Sequence, residues 1–136
     1  MKKTRNVILI FIIGLSLSCR SKHPKWDGGI INEFGEYHVS KKKYIIDVYS
    51  RDGLLNYSVK NIFGKRIILG PTYGTSTYQN WAMYFDKNND LWIESSDIGT
   101  SLWKYVGPDE YKEIDLSKET QYLRQMPEEL KKRDNR

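Results

Sequence analysis

Trp81-Ala82-Met83-Tyr84-Phe85-Asp86-Lys87-Asn88-Asn89-Asp90-Leu91-Trp92-Ile93-Glu94 is the stretch whose reading decides the fold class. Trp81, Met83 and Phe85 alternate with the intervening residues, the period of a strand and not of a helix. Lys87-Asn88-Asn89-Asp90 is a cluster of turn formers, and Leu91-Trp92-Ile93-Glu94 returns. Two such runs joined by a short polar turn read as an antiparallel hairpin.

The same grammar extends in both directions. Upstream, Tyr44, Ile46 and Val48 alternate with Ile45, Asp47 and Tyr49. Arg51-Asp52-Gly53 turns into Leu54–Val59, Asn61–Gly64 turns again, and Arg66-Ile67-Ile68-Leu69 ends at Gly70-Pro71. Downstream, Ser96–Gly99 turns into Leu102–Val106, which Gly107-Pro108-Asp109 closes. With short strands near Glu36–Val39 and Tyr111–Ile114, the expectation is a mainly β domain, an antiparallel meander of six to eight strands. It must close as a small barrel or fold over as a sandwich to cover its apolar face, and the sequence leaves both open. Asp115 or Ser117 begins a helical end that runs to about Gln125. Pro127 suits the first turn of a second piece, and Tyr122, Leu123, Met126 and Leu130 are positioned to dock on the sheet.

The amino-terminal end has another character. Met1–Asn6 carries Lys2, Lys3 and Arg5, and Val7–Leu17 is an apolar run of 11 residues, too short to span a bilayer and the right length for a secretion signal. Arg20-Ser21-Lys22-His23-Pro24 turns polar at once. With Ser18 preceding the single cysteine, Met1–Cys19 resembles the signal peptides of bacterial lipoproteins, which implies diacylation of Cys19 and an outer-membrane or surface address if the host is Gram-negative. Ser16-Leu17-Ser18 also satisfies the small-x-small pattern of ordinary secretory cleavage, which would leave Cys19 as a free terminal thiol. Both routes cut before Cys19. The expected organisation is a signal at 1–18, a lipid-attachment cysteine and tether at 19–29, and one β-rich domain at 30–136.

Composition excludes several classes. The chain has 136 residues, within the range of a single domain. Its net charge of +5 includes three basic residues of the signal, which leaves 19 Lys+Arg against 17 Asp+Glu, too close to neutrality to argue for nucleic acid. One cysteine forbids an intramolecular disulfide, so packing alone must hold the domain.

Candidate chemistry is sparse. Asp86, Asn88 and Asp90, with Glu94 and Asp97 beyond, have the oxygen spacing of an EF-hand loop, but the sixth position is Leu91 where that loop needs glycine, and the flanks are strands; a hairpin turn explains these residues better. Ser40–Lys43 and Ser101–Lys104 match a serine-x-x-lysine pattern, yet neither sits on an expected helix. His23 and His38 have no partners at metal spacing. No metal and no cofactor are expected. Carboxylates for glycan hydrolysis would come from Glu33, Glu36, Asp47, Glu94 and Asp97, with Glu94 and Asp97 foremost because they flank a turn beside Trp92 and Trp103. Lys41-Lys42-Lys43 is a three-residue basic run that reads more readily as a solvated strand edge than as a patch for phosphate or anionic lipid. The most ligand-like segment is the polar loop Thr72–Trp81, in which Tyr73, Tyr78 and Trp81 are candidate contacts for a sugar or a protein. The expectation is an extracytoplasmic, lipid-anchored, non-enzymatic envelope protein that binds a protein or glycan through that loop. The alternatives are an envelope glycan or peptidoglycan hydrolase, and an immunity or inhibitor lipoprotein.

Overall fold

The computed structural model describes residues 25–26, 28–39, 43–70 and 74–133. The signal segment, Cys19 and Tyr73 lie outside these residues. β1 (Lys25–Trp26), β2 (Gly35–Val39), β3 (Tyr44–Arg51), β4 (Leu54–Asn61) and β5 (Arg66–Gly70) form one sheet in that order. β6 (Trp81–Phe85), β7 (Leu91–Ser95), β8 (Gly99–Gly107) and β9 (Glu110–Ile114) form the second. Every pairing is antiparallel except that of the two-residue β1, which runs parallel to β2 along the edge of the first sheet. The sheets stay separate and share a core, so the domain is a sandwich and not a closed barrel.

Local chemistry sets the hairpins. Asp52 and Gly53 have φ of 54° and 74°, the left-handed pair of a two-residue turn whose twist matches that of the strands, and Arg51 accordingly pairs with Leu54. In the hairpin of residues 81–95, Phe85 faces Leu91 across a turn in which Asn89 takes φ of 73°.

Between the sheets, Tyr44, Ile46, Val48, Leu55, Tyr57, Val59 and Ile68 meet Trp81, Met83, Phe85, Leu91 and Ile93 in one buried cluster. The second sheet also buries its other face, where Ala82, Trp92, Leu102 and Ile114 lie beneath Leu116, Leu130 and the half-buried Tyr122 and Met126. That double burial explains why Trp81-Ala82-Met83 and Leu91-Trp92-Ile93 are apolar at successive positions, a pattern that departs from simple alternation. The result is three layers: sheet, sheet and helical cover.

The expected short carboxy-terminal helical segment is present, but its first piece starts later than Asp115 or Ser117 and winds more tightly than an α-helix. Thr120–Gln125 is a 3-10 helix, preceded by Glu119 without a side-chain cap, and α1 is one turn, Glu128–Lys131, entered from Pro127. Asp115 instead makes a turn, accepting from the Ser117 backbone N–H at 3.1 Å. Without a cap, and with Pro127 unable to continue a helix, the segment adopts short i to i+3 turns that seat Tyr122, Met126 and Leu130.

Two details tie the layers together. Ile31 exchanges both backbone hydrogen bonds with Met83, at 2.9 and 2.8 Å, before the chain crosses to β2 in the other sheet. The Tyr57 ring lies across Gly70, its cross-strand partner, and its hydroxyl accepts from Trp103 Nε1 of the second sheet at 2.9 Å. Gly70 therefore belongs to β5 as a platform for an aromatic ring.

Candidate functional site

One end of the sandwich carries the β3–β4 turn, the β7–β8 turn and the loop that leads into β6. The loop is fixed by hydrogen bonds to both turns. Leu55 N–H donates to Thr75 O at 2.8 Å, Thr77 N–H donates to Gly53 O at 2.9 Å, and Ser76 N–H donates to Asp97 Oδ2 at 2.8 Å. Ser96 N–H and Oγ donate to Asn80 O and Gln79 Oε1 at 3.0 and 3.1 Å. Thr75 is buried beneath.

This anchoring leaves the Tyr78 side chain 91% exposed at the crest of a fixed backbone. Trp81, by contrast, is only 6% exposed and belongs to the core, and the half-exposed Phe34 packs against it with ring centroids 5.6 Å apart at 35°. Arg133 Nη2 reaches Trp81 O at 3.3 Å from the carboxy-terminal side. Between these groups lies an open cleft of about 480 Å³, whose walls also include Asn32, Glu33, Thr77, Gln79 and Asn80. It offers an aromatic face, a free-standing phenol, amides, one carboxylate and one guanidinium. Such a set stacks on a planar or sugar-like surface and orients it by hydrogen bonds.

Of the three aromatics singled out in the sequence, Tyr78 lines this cleft by its exposed ring, Trp81 lines it from within the core, and Tyr73 falls outside the described residues. Phe34 and Arg133 were missed. Phe34, a lone aromatic in the polar stretch before β2, carried a faint signal. Arg133 carried none, because 52 residues separate it from Trp81.

Asp97, Asp86 and Asp90 have structural occupations. Asp97 accepts from Ser95 Oγ and from Ser76 N–H, and these hydrogen bonds hold its carboxyl below the usual carboxylate range. A general acid needs the opposite shift. The calcium-like spacing resolves into a braced turn. Asp86 Oδ1 accepts from the N–H groups of Asn88 and Asp90 at 2.8 and 3.0 Å, and its Oδ2 accepts from Trp92 Nε1 at 3.0 Å. Asp90 Oδ2 is 2.7 Å from Lys104 Nζ, and its Oδ1 accepts from Tyr105 N–H at 2.9 Å. Among the described residues no group of three or more His, Cys, Asp or Glu side chains could hold a metal ion. Ser101 and Lys104 are three apart on β8, which sends them to opposite faces, so the lysine cannot activate that serine. Ser40, Lys41 and Lys42 lie outside the described residues. His38 Nε2 pairs with Glu36 Oε1 at 2.8 Å on the outer face of β2.

No known protein family, curated protein or solved structure matches the chain. Among the described residues no helix is long and apolar enough to cross a membrane.

Proposed function

We propose that this is an exported envelope protein, lipid-anchored at Cys19, whose sandwich binds an envelope protein or glycan at the cleft of Phe34, Tyr78 and Trp81, with Tyr73 on the same loop. The observation that carries the reading is that the exposed Tyr78 and the half-exposed Phe34 line the same cleft. A large aromatic that a protein leaves in water on a hydrogen-bonded loop, beside a cleft that a second half-exposed ring also lines, contributes nothing to the core and suits an anchor for a ligand. The hydrolase reading has less support, since both Asp97 oxygens are occupied by Ser95 Oγ and Ser76 N–H in the turn it braces.

The test compares wild type with Tyr78→Ala, Phe34→Ala and the double variant in sedimentation with purified cell-wall glycan and in capture from envelope extracts. Loss of a ring at the centre of an interface weakens binding by about 2 kcal/mol, or roughly 30-fold. Wild-type retention by the double variant on every ligand that the wild type captures would sink the proposal. Anchoring is checked by the intact mass from envelope fractions beside Cys19→Ala. A mass of residues 19–136 plus a lipid adduct, lost in the control, is the expected result, and the bare mass in a soluble fraction would refute it.

A further inference from the structure

At the opposite end of the sandwich, the β4–β5 turn holds two apolar side chains in water. Phe63 is 87% exposed and Ile62 is 51% exposed. The turn beneath them is stiff. The buried Asn61 accepts from Phe63 N–H and Lys65 N–H on its Oδ1, at 3.0 and 2.9 Å, and donates from Nδ2 to Asp109 Oδ2 of the second sheet at 2.7 Å. Ile62 N–H donates to Lys43 O at 3.1 Å, so the β2–β3 connection is tied to the same point.

Positive charge surrounds the pair. Lys60 and Arg66 are direct cross-strand partners at the base of the turn, Lys65 is within it, and Lys43 abuts Ile62. None of these four makes an ion pair with a described residue. Like charges opposed across a ladder destabilise it, so this arrangement has no account in the fold alone. Of the acids at this end, Asp90 is neutralised by Lys104, while Asp109, hydrogen-bonded to Asn61, and Asp86, hydrogen-bonded within its own turn, keep their charge and are outnumbered by the four cations. Apolar side chains at the apex of a rigid hairpin, ringed by cations, complement the interface of an anionic bilayer, where rings enter the acyl boundary and ammonium groups meet headgroup phosphates.

We propose that the Asn61–Lys65 turn is a membrane-contact tip that inserts Phe63 and Ile62 into an anionic lipid surface through the surrounding Lys43, Lys60, Lys65 and Arg66. β4 runs the eight residues from one end of the sandwich to the other, roughly 25 Å, so a docked tip turns the Phe34–Tyr78 cleft away from the bilayer. The tip is separate from the cleft and from acylation of Cys19, and stands or falls without either.

The test uses the full chain in a Cys19→Ser background, reconstituted in vesicles, with an environment-sensitive fluorophore on Phe63→Cys or, at the opposite end, on Arg51→Cys. Vesicles contain phosphatidylglycerol and phosphatidylcholine, or phosphatidylcholine alone, with nitroxide-labelled lipid as quencher. The expected result is quenching at position 63 and not at 51 in the anionic vesicles. That quenching should fall by about 25-fold in tip partition when Lys60→Gln and Arg66→Gln are combined, about fivefold per charge. The absence of quenching at 63 in anionic vesicles overturns the proposal. So does equal quenching at 51, or quenching indifferent to lipid charge and to the two glutamines. A fluorophore shift at 63 that needs added envelope protein and not lipid also overturns it and assigns the tip to a protein partner.

Discussion

Lys104→Met should destabilise the domain more than Asp90→Asn, although the two substitutions break the same ion pair. The asymmetry follows from where the surviving partner is left. The Asp90 side chain is 2% exposed and that of Lys104 is 27% exposed, with 2.7 Å between the charged atoms. Removal of the cation leaves a carboxylate sealed in the β6–β7 turn with, among the described residues, only the Tyr105 N–H to solvate it. Loss of one partner of a buried pair costs about 3 kcal/mol or more. Asparagine at position 90, in contrast, keeps a carbonyl oxygen for Tyr105, while the Lys104 ammonium retains water on its open side and the Tyr122 ring 5.8 Å away. The loss is then that of one charge-assisted hydrogen bond, about 1.5 kcal/mol. The double variant removes both charges and should recover at least about 1 kcal/mol relative to Lys104→Met alone. Urea unfolding monitored by tryptophan fluorescence measures all three, with an unchanged m-value as the check on two-state behaviour. A Lys104→Met cost equal to or below that of Asp90→Asn refutes the reasoning. A pH series adds a second test. The hydrogen bond from Asp90 raises the Lys104 pKa, so the pair's stabilisation is fully present below the unfolded lysine value of about 10.4 and is lost as pH rises through the higher folded value. Burial also raises the pKa of Tyr57 and Tyr111, which erodes stability in the same direction. The informative quantity is therefore the difference between wild type and Lys104→Met, which should narrow above pH ~10.4.

Other outcomes follow from single contacts. Gly70→Ala would place a methyl 2.1 Å from Tyr57 Cζ, and the ring cannot retreat without losing Trp103 Nε1, so a loss of about 3 kcal/mol is expected in the same unfolding assay. Asn61→Ala removes the acceptor of two N–H groups and the tie to Asp109 and should cost about 2 kcal/mol, whereas Phe63→Ser on the apex it supports should stay within about 0.5 kcal/mol of wild type; equal losses would mean that Phe63 packs on the domain. Because its hydrogen bonds depress the Asp97 pKa, the loop-fixing contribution is present above the unfolded value of about 3.9 and is lost as pH falls through the folded one. Acid titration of wild type against Asp97→Asn, followed by amide exchange at Ser76, should diverge above that window and converge below it.

Much of the fold was legible because strands with one wet face announce themselves locally. Tyr44–Tyr49, Leu54–Val59 and Arg66–Leu69 all lie where alternation and turn residues put them, and Asp52-Gly53 fixed its own hairpin. The run Trp81–Phe85 was readable as a strand but not as one covered on both sides, since the cover comes from Leu116–Leu130 and depends on contacts across more than 30 residues. β1 escaped notice because two residues carry no period. The cleft was half legible for the same physical reason: Tyr78 and Trp81 lie on one loop, while Phe34 and Arg133 reach it only through tertiary packing. Asp86 and Asp90 gave the loudest chemical signal in the sequence, and its cause was backbone geometry. Short side-chain oxygens at alternate positions serve a tight turn as well as they serve a cation.

The helical cover also sets a clock on assembly. A chain that emerges amino terminus first can complete both sheets by Ile114, yet Trp92, Leu102 and Ile114 remain uncovered until Leu130 has been delivered. The final step of folding is thus coupled to arrival of Leu130, and a chain that stalls or is clipped after residue 116 presents an adhesive apolar sheet in place of a finished domain.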